Sequence, residues 1–407
     1  MLNTEFSPWP SFTEEEVEAV SEVLRSNRVN YWTGKEARQF EEEFARFVGV
    51  SHAIALANGT VALDLALRAM DIGEGDEVIV TPRTFIASVS CIVNLGAKPV
   101  FADVEFDSQN ISAKTIKSVI TPATKAVICV HLAGWPCDMD PILALAKEHN
   151  LWVIEDCAQA HGATYKGKSV GSLGHIGCWS FCQDKIMTTG GEGGMVTTDD
   201  KRLWSAMWSY KDHGKAWETV QQTNAAPGFR WLHESFGSNY RMTEMQAAIG
   251  RIQLQRMPEW HRVRIDNASR IWAAALDLPN ITVPKLSCDS CTGSCKDFQG
   301  CEHAAYKCYL TVEASPQDRD ELIRRISERG VPCYSGSCSE VYLEKAFEGT
   351  GYVPLERLPN ALKLGETSLM FLCHPTLTEQ EIDKTCRILR EVVLDYFSEN
   401  GVINSHA

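Results

Sequence analysis

Four short stretches place residues capable of bond-making chemistry next to apolar runs. The densest is SFCQDKIMTTGGEGGM (180–195), where Lys185 stands just upstream of four glycines within five residues. A Walker-type phosphate loop needs its glycines before Lys-Ser or Lys-Thr. Here they follow the lysine, and Ile186 succeeds it, so a phosphate loop fails on order. A lysine amine can instead form an imine with an aldehyde cofactor. The glycines at 190–194 then read as a tight turn that lets the backbone cross near the site before the strand GGMVTT.

The other three stretches are Asn58-Gly59-Thr60, Asp156 at the end of LWVIEDC, and Gly237-Ser238-Asn239-Tyr240-Arg241. Backbone N–H groups at Gly59 and the hydroxyl of Thr60, at a helix start, form an anion site, with a simple N-cap by Asn58 or Thr60 as the plainer reading. A carboxylate at a buried strand end is costly unless it faces a cation or a ring nitrogen that wants a proton, although Asp156 also suits the capping of the next turn. His161, five residues on, fits a packed core histidine as well as a participant. Asn239 and Arg241 are placed to donate to a phosphate, and Arg241 equally to a surface ion pair.

The elements that must carry these residues alternate along the chain. Strand candidates are HAIALA (52–57), DEVIVT (76–81), KPVFADV (98–104), KAVICVHL (125–132), LWVIEDC (151–157), CWSFC (178–182) and GGMVTT (193–198), with helical spacing in VALDLALRAMDI and DPILALAKEHN between them. This βα alternation predicts a mainly parallel sheet, and ligands of such sheets lie beyond the carboxyl ends of the strands. A long amphipathic segment (242–276) is predicted to link two domains and to kink or break at Pro258. The division expected is 1–257, a large domain with an N-terminal segment, and 258–407, a smaller α/β domain with a Cys-rich insertion at 286–308. The smaller domain would hold the strand YKCYLTVEA, the helix DRDELIRRISERG and the closing helix TEQEIDKTCRILREVVLDYF.

Composition narrows the class. The chain has 407 residues, 44% hydrophobic and 23% charged, enough mass for two domains of unequal size. No apolar run approaches the roughly 20 residues that span a bilayer, and the N-terminus lacks a basic region followed by an apolar core, so residence in the cytoplasm is expected. A net charge of −14 with no basic run argues against nucleic acid as a partner. Of fifteen cysteines, seven fall between Cys288 and Cys338, and Cys288, Cys291, Cys295 and Cys301 are spaced C-x2-C-x3-C-x5-C. That spacing is compact enough for a structural zinc or an iron–sulfur cluster, with reduced thiols or disulfides as the alternatives.

Taken in order, YWTG, NGT, TFIAS, GAKPVFADV, EDCAQAHGA, the Lys185 segment, NYRMTEMQAAIG and CHPTLTEQEI resemble the pyridoxal-phosphate (PLP) sugar aminotransferases of the DegT/DnrJ/EryC1/StrS family, over nearly the whole chain. The departures are Asn58, where the family often has Ser, and the wording SFCQDK. The resemblance implies fold type I, the aspartate aminotransferase-like fold, with a large PLP-binding domain and a small C-terminal one. It implies that Lys185 holds the cofactor as an imine and then moves protons as acid and base, and that Asp156 pairs with the ring nitrogen. Phe85 would stack on the ring, with a core aromatic as the alternative. Gln159 would lie near the phenolic oxygen. Gly59, Thr60 and Ser180 would bind the phosphate, and Asn239 would reach it from the neighbouring subunit of a homodimer with shared active sites.

The implied reaction moves an amino group from L-glutamate to a sugar carbonyl in cell-surface polysaccharide or lipopolysaccharide synthesis. Relatives that dehydrate a sugar have histidine at the lysine position, so Lys185 favours transamination. A regulatory or sensor protein on this fold is the non-enzymatic alternative. The sugar implied is a nucleotide-linked keto-deoxyhexose or, in a smaller branch, 8-oxo-3-deoxy-octulosonate, an acid that would need cations. Lys211, His213, Arg230, His233 and Arg241 are the substrate candidates, with solvated surface residues as the alternative.

Overall fold

Apolar residues at alternate positions supply both faces of a sheet between residues 52 and 198. In the structure, a computed structural model that describes residues 6–221, 230–284 and 300–400, that sheet has seven strands. Helices α1 (Glu14–Arg25) and α2 (Glu36–Val48) precede β1 (His52–Leu56), which is followed by α3 (Gly59–Ala69), β2 (Glu77–Val80), α4 (Ala87–Asn94) and β3 (Lys98–Phe101). Next come α5 (Ala113–Lys117), β4 (Thr124–Val130), α6 (Met139–His149), β5 (Trp152–Asp156) and a small hairpin of β6 (Thr164–Tyr165) and β7 (Lys168–Ser169). Strands β8 (Ile176–Ser180) and β9 (Gly194–Thr198), then α7 (Lys201–Lys211) and α8 (Trp217–Gln221), complete this part. The sheet order is β1-β9-β8-β5-β4-β2-β3, with β9 antiparallel to both neighbours and every other pair parallel.

Period-two alternation assigns each strand's residues to two cores. Val78, Val80, Ile128, Val130 and Ile154 pack under α3 and α4, while Ile79, Val127, Cys129 and Val153 face the opposite layer with residues of α6. A third cluster joins Phe40 and Phe44 of α2 to Trp179, Phe181 and Met195.

Helix α9 (Glu244–Ala275) starts at a capping box made by Thr243 and Gln246 and leads to the smaller unit. That unit holds β10 (Ile281–Thr282), β11 (Cys308–Val312), α10 (Pro316–Glu328), β12 (Cys333–Tyr334), α11 (Pro359–Thr367), β13 (Ser368–Phe371) and α12 (Glu379–Glu399). Its strands form an antiparallel sheet in the order β10-β11-β13-β12. The break expected at Pro258 does not occur: α9 continues through it as one 32-residue helix. Proline removes one backbone bond and crowds the preceding turn. Here both flanks are clamped, by Ala247, Leu254 and Met257 in the large core and by Ala268, Ile271 and Ala275 in the small one. The expected boundary at 257/258 therefore falls inside a helix that serves both units.

The carboxylate before Asp156 is a structural anchor. Glu155 is fully buried; its Oε1 accepts from the backbone N–H of Leu173 (2.8 Å) and Gly174 (2.7 Å), and its Oε2 from that of Gly171 (2.9 Å). His131 Nε2 lies 3.0 Å from Oε2, and His131 Nδ1 accepts from the N–H of Cys137 (3.0 Å), so Nε2 carries the proton and donates. Glu155→Ala strands these donors in the interior, so we expect a loss of about 3 kcal/mol or more. A fall in the urea midpoint, larger than for Glu155→Gln, checks this, and an unchanged midpoint contradicts it.

Candidate active site

The carboxyl ends of β5 and β8 and the N-terminus of α3 open onto one cavity of about 750 Å³. Gly59, Thr60, Phe85, Asp156, Gln159, Ser180 and Lys185 all line it. Residues separated by more than a hundred positions in sequence thus converge where open α/β sheets place their ligands.

Asp156 ends β5 and is buried, yet its two oxygens have few partners. Ser88 Oγ donates to Oδ2 (2.8 Å) and the Ala158 N–H to Oδ1 (3.1 Å); Ser88 is itself 2.9 Å from Thr84 Oγ1. The Ala158 contact is the turn-capping role open in the sequence, and the carboxylate still fronts the cavity. Ser88, in the first turn of α4, and Thr84, in the segment before that helix, were not singled out from the sequence. Gln159 Oε1 accepts from the Ala133 N–H (2.8 Å), which fixes the amide and leaves its NH₂ available to the cavity. Phe85 is 68% exposed, which excludes the core-aromatic reading and puts its ring on the cavity wall.

Asn58 caps α3 by accepting from the Val61 N–H (3.0 Å), so the simple N-cap is real. Cap and anion site coexist, because Asn58 takes the Val61 donor and leaves the Gly59 and Thr60 donors at the cavity. Backbones meet closely there. A Cβ at Gly59 would lie 2.6 Å from Ser180 Cβ, and one at Gly194 only 2.3 Å from the Asn58 carbonyl oxygen. This glycine-lined cradle at a helix N-terminus, closed by Ser180, suits a phosphate.

Lys185 has a side chain 16% exposed, with Nζ 4.0 Å from Asp184 Oδ1 and 5.2 Å from the Tyr306 ring centroid. Burial works to raise the Asp184 carboxyl, but Lys185 and the Tyr306 hydroxyl, which donates at 2.5 Å, outweigh it and hold the group below its usual range. Trp9 Nε1 donates to the Lys185 carbonyl (2.8 Å), a tether from the N-terminal segment that the sequence did not reveal. Gly190 and Gly191, at φ 89° and 128°, make the left-handed turn expected after the lysine. His161 is fully buried against Trp179 and Phe181, and burial, with Lys185 and Arg264 nearby, presses its pKa to about 3. It behaves as a neutral core histidine.

The substrate candidates lie elsewhere within the chain. Lys211, expected near the substrate, is instead fully buried, with Nζ 3.6 Å from the Tyr31 ring centroid and 3.7 Å from Asp212, and cannot meet a substrate from there. Arg241 Nη1 donates to the buried Asp212 (2.9 Å), the ion-pair alternative. Arg230 donates to the Thr219 carbonyl (2.6 Å), and His213, His233 and Asn239 are exposed; none of these lines the Lys185 cavity. Cys288, Cys291 and Cys295 lie outside the described residues, and buried Cys301 accepts from the Lys166 N–H (3.2 Å). His131, Glu155 and Cys157 approach one another as metal ligands would, but the first two already spend their lone pairs on backbone donors.

The comparisons with known proteins agree with this geometry. The model of the DegT/DnrJ/EryC1/StrS aminotransferase family matches residues 10–390. The chain is 36% identical over 389 residues to GDP-perosamine synthase of Escherichia coli O157:H7, covering 95% of this chain and 98% of that protein. The aminotransferase structure from Psychrobacter cryohalolentis superposes with a TM-score of 0.92 at 60% identity, covering 96% and 99% of the two chains. The protein Spr1654 of Streptococcus pneumoniae, solved in a PLP form, gives a TM-score of 0.84 at 26% identity, covering 97% and 99%. These likenesses carry the type I aminotransferase fold, and no described helix is long and apolar enough to cross a membrane. The chain belongs to the DegT/DnrJ/EryC1/StrS aminotransferase family and is a PLP-dependent sugar aminotransferase.

Proposed function

We propose that this enzyme moves the amino group of glutamate to the keto carbon of a nucleotide-linked deoxysugar, for the synthesis of a surface polysaccharide. The observation that carries the reading is the convergence of Lys185, Asp156 and the Gly59–Gly194 cradle on one cavity. The nucleotide-linked class is supported by the full-length likeness to GDP-perosamine synthase.

Bound PLP would supply an aldehyde and an electron-accepting ring. The chain's own residues then divide the work. The N–H groups of Gly59 and Thr60 and the Ser180 hydroxyl hold the phosphate. Asp156, kept in place by Ser88 and Ala158, pairs with the ring nitrogen and keeps a proton there. Gln159 donates its free NH₂ toward the phenolic oxygen, and Phe85 covers one face of the ring. Lys185 would serve as the base that takes the proton from the donor's α-carbon and the acid that delivers it two atoms away, across the transferred nitrogen.

The proposal includes a homodimer with shared sites. Asn239 is exposed and outside its own chain's cavity, and Phe236, three residues away, is fully exposed, as an interface residue would be in a single chain.

Lys185→Ala should abolish the visible band of bound PLP that glutamate bleaches, and lower turnover by about 10³-fold or more. Retention of both overturns the assignment. Amination of a nucleotide-linked 4-keto-6-deoxyhexose, and not of 8-oxo-3-deoxy-octulosonate, is the expected substrate result; the reverse preference would displace the nucleotide-sugar reading. Gly194→Ala should push the α3 N-terminus off its seat and weaken PLP retention in dialysis by about tenfold or more, with the fold intact by circular dichroism. Unchanged retention would remove the cradle from the phosphate site.

A further inference from the structure

A second chamber of about 610 Å³ adjoins the first and shares Thr84, Phe85, Gln159, Asp184 and Lys185 with it. Its outer walls come from the small unit, α9 and the N-terminal segment, which include Trp9, Arg264, Tyr306, Lys307 and His374. Arg264 is 1% exposed, and its Nε and Nη2 find no hydrogen-bond partner among the described residues. Its guanidinium lies 4.8 Å from the Trp9 ring centroid, and Lys307 Nζ lies 4.8 Å from that of Tyr306. Neither cation has an ion pair within 4.0 Å among the described residues.

Asp184 is the one carboxylate among the described lining residues, and it already faces Lys185 and accepts from Tyr306. Three cations therefore face a single carboxylate. Burial pulls Arg264 down to about 10 and also lowers Lys307. It brings His374 to about 3, with Arg264 and Lys307 adding repulsion, so this ring is neutral. A buried guanidinium with two idle donors is a costly arrangement that an incoming anion would relieve.

We propose that Arg264 and Lys307 form the seat for a carboxylate of the amino-acid donor. The inference rests on the transamination reading above. A donor amino acid carries its carboxylate on the same carbon as the reacting nitrogen, so a cation for it must share a chamber with the Lys185 amine. The anionic group of a nucleotide-linked keto-deoxysugar is its diphosphate, which is removed from the carbonyl by the sugar ring. Arg264 and Lys307 are thus specificity residues for the donor half of the reaction.

The test uses holoenzyme of the wild type and of Arg264→Met, Arg264→Lys, Lys307→Met. Each is titrated with glutamate by the visible band and with maleate, a dicarboxylate that cannot react, by calorimetry. The amino-loaded enzyme is then mixed with the nucleotide keto-sugar. Arg264→Met and Lys307→Met should each raise the glutamate concentration for half-maximal rate about tenfold or more and weaken maleate in parallel, with Arg264→Lys recovering part of the loss. The sugar half-reaction should change less than about threefold by comparison. Unchanged glutamate and maleate dependence overturns the seat, and so do equal losses in both half-reactions, which mark a structural role. If Arg264→Met does not fold, Lys307→Met decides alone. A variant defect confined to 8-oxo-3-deoxy-octulosonate would give the seat to an acidic sugar and overturn the donor assignment. If wild type fails to react with glutamate, the transamination reading falls, while the maleate arm still reports on the carboxylate seat.

Discussion

The arrangement depends on a carboxylate held at the end of a buried strand. Asp156 sits in the interior at the tip of β5, with only a serine hydroxyl and one backbone N–H among the described residues to satisfy it. Such a group needs a charged or proton-bearing partner, and the neighbouring elements leave a cavity where one can sit. The adjacent residue shows the contrast. Glu155 points to the other face of the same strand and is saturated by three backbone donors and His131. One carboxylate fixes the loop at 171–174, and the other is left incomplete on the side where chemistry takes place. Strand alternation alone separates the two roles.

Around Asp156 the rest of the site is drawn in by close backbone approach. Gly59 and Gly194 let α3, β8 and β9 meet at distances that any side chain would prevent. The same crowding aims the first N–H groups of α3 into the cavity. The lysine loop is held from three directions: Thr188 donates to the Phe181 carbonyl (2.9 Å), the Thr188 N–H donates to Gln253 of α9 (2.8 Å), and Trp9 holds the Lys185 carbonyl. Because Trp9 also packs on His374 and Trp260, the small unit and the N-terminal segment share in setting where the lysine lies.

Much of this was legible in the sequence, for reasons that can be named. Each strand end at which a polar residue follows an apolar run marks a point on one edge of the sheet, and that pattern picks out Gly59, Asp156 and the Lys185 stretch as candidates; their joint roles, and the place of Ser180, came from the family resemblance. The order of lysine and glycines excluded a phosphate loop. Contacts without a local signature were not legible. Trp9 and Lys185 are 176 positions apart, and nothing near Arg264 in sequence shows that its face of α9 opens on a chamber. Lys211 misled because a lysine in SYKDHG reads as surface, whereas Tyr31 and Trp208 enclose it and Asp212 offsets its charge. Pro258 does not break α9, because packing on both sides of it holds the helix continuous.

The most direct test of the central claim is a crystal structure of the protein with PLP bound. The account predicts a covalent link at Lys185, the ring nitrogen within hydrogen-bonding distance of Asp156, and the phosphate against the N-terminus of α3 and Ser180. Phosphate density at another site, or a ring nitrogen with no contact to Asp156, would contradict it.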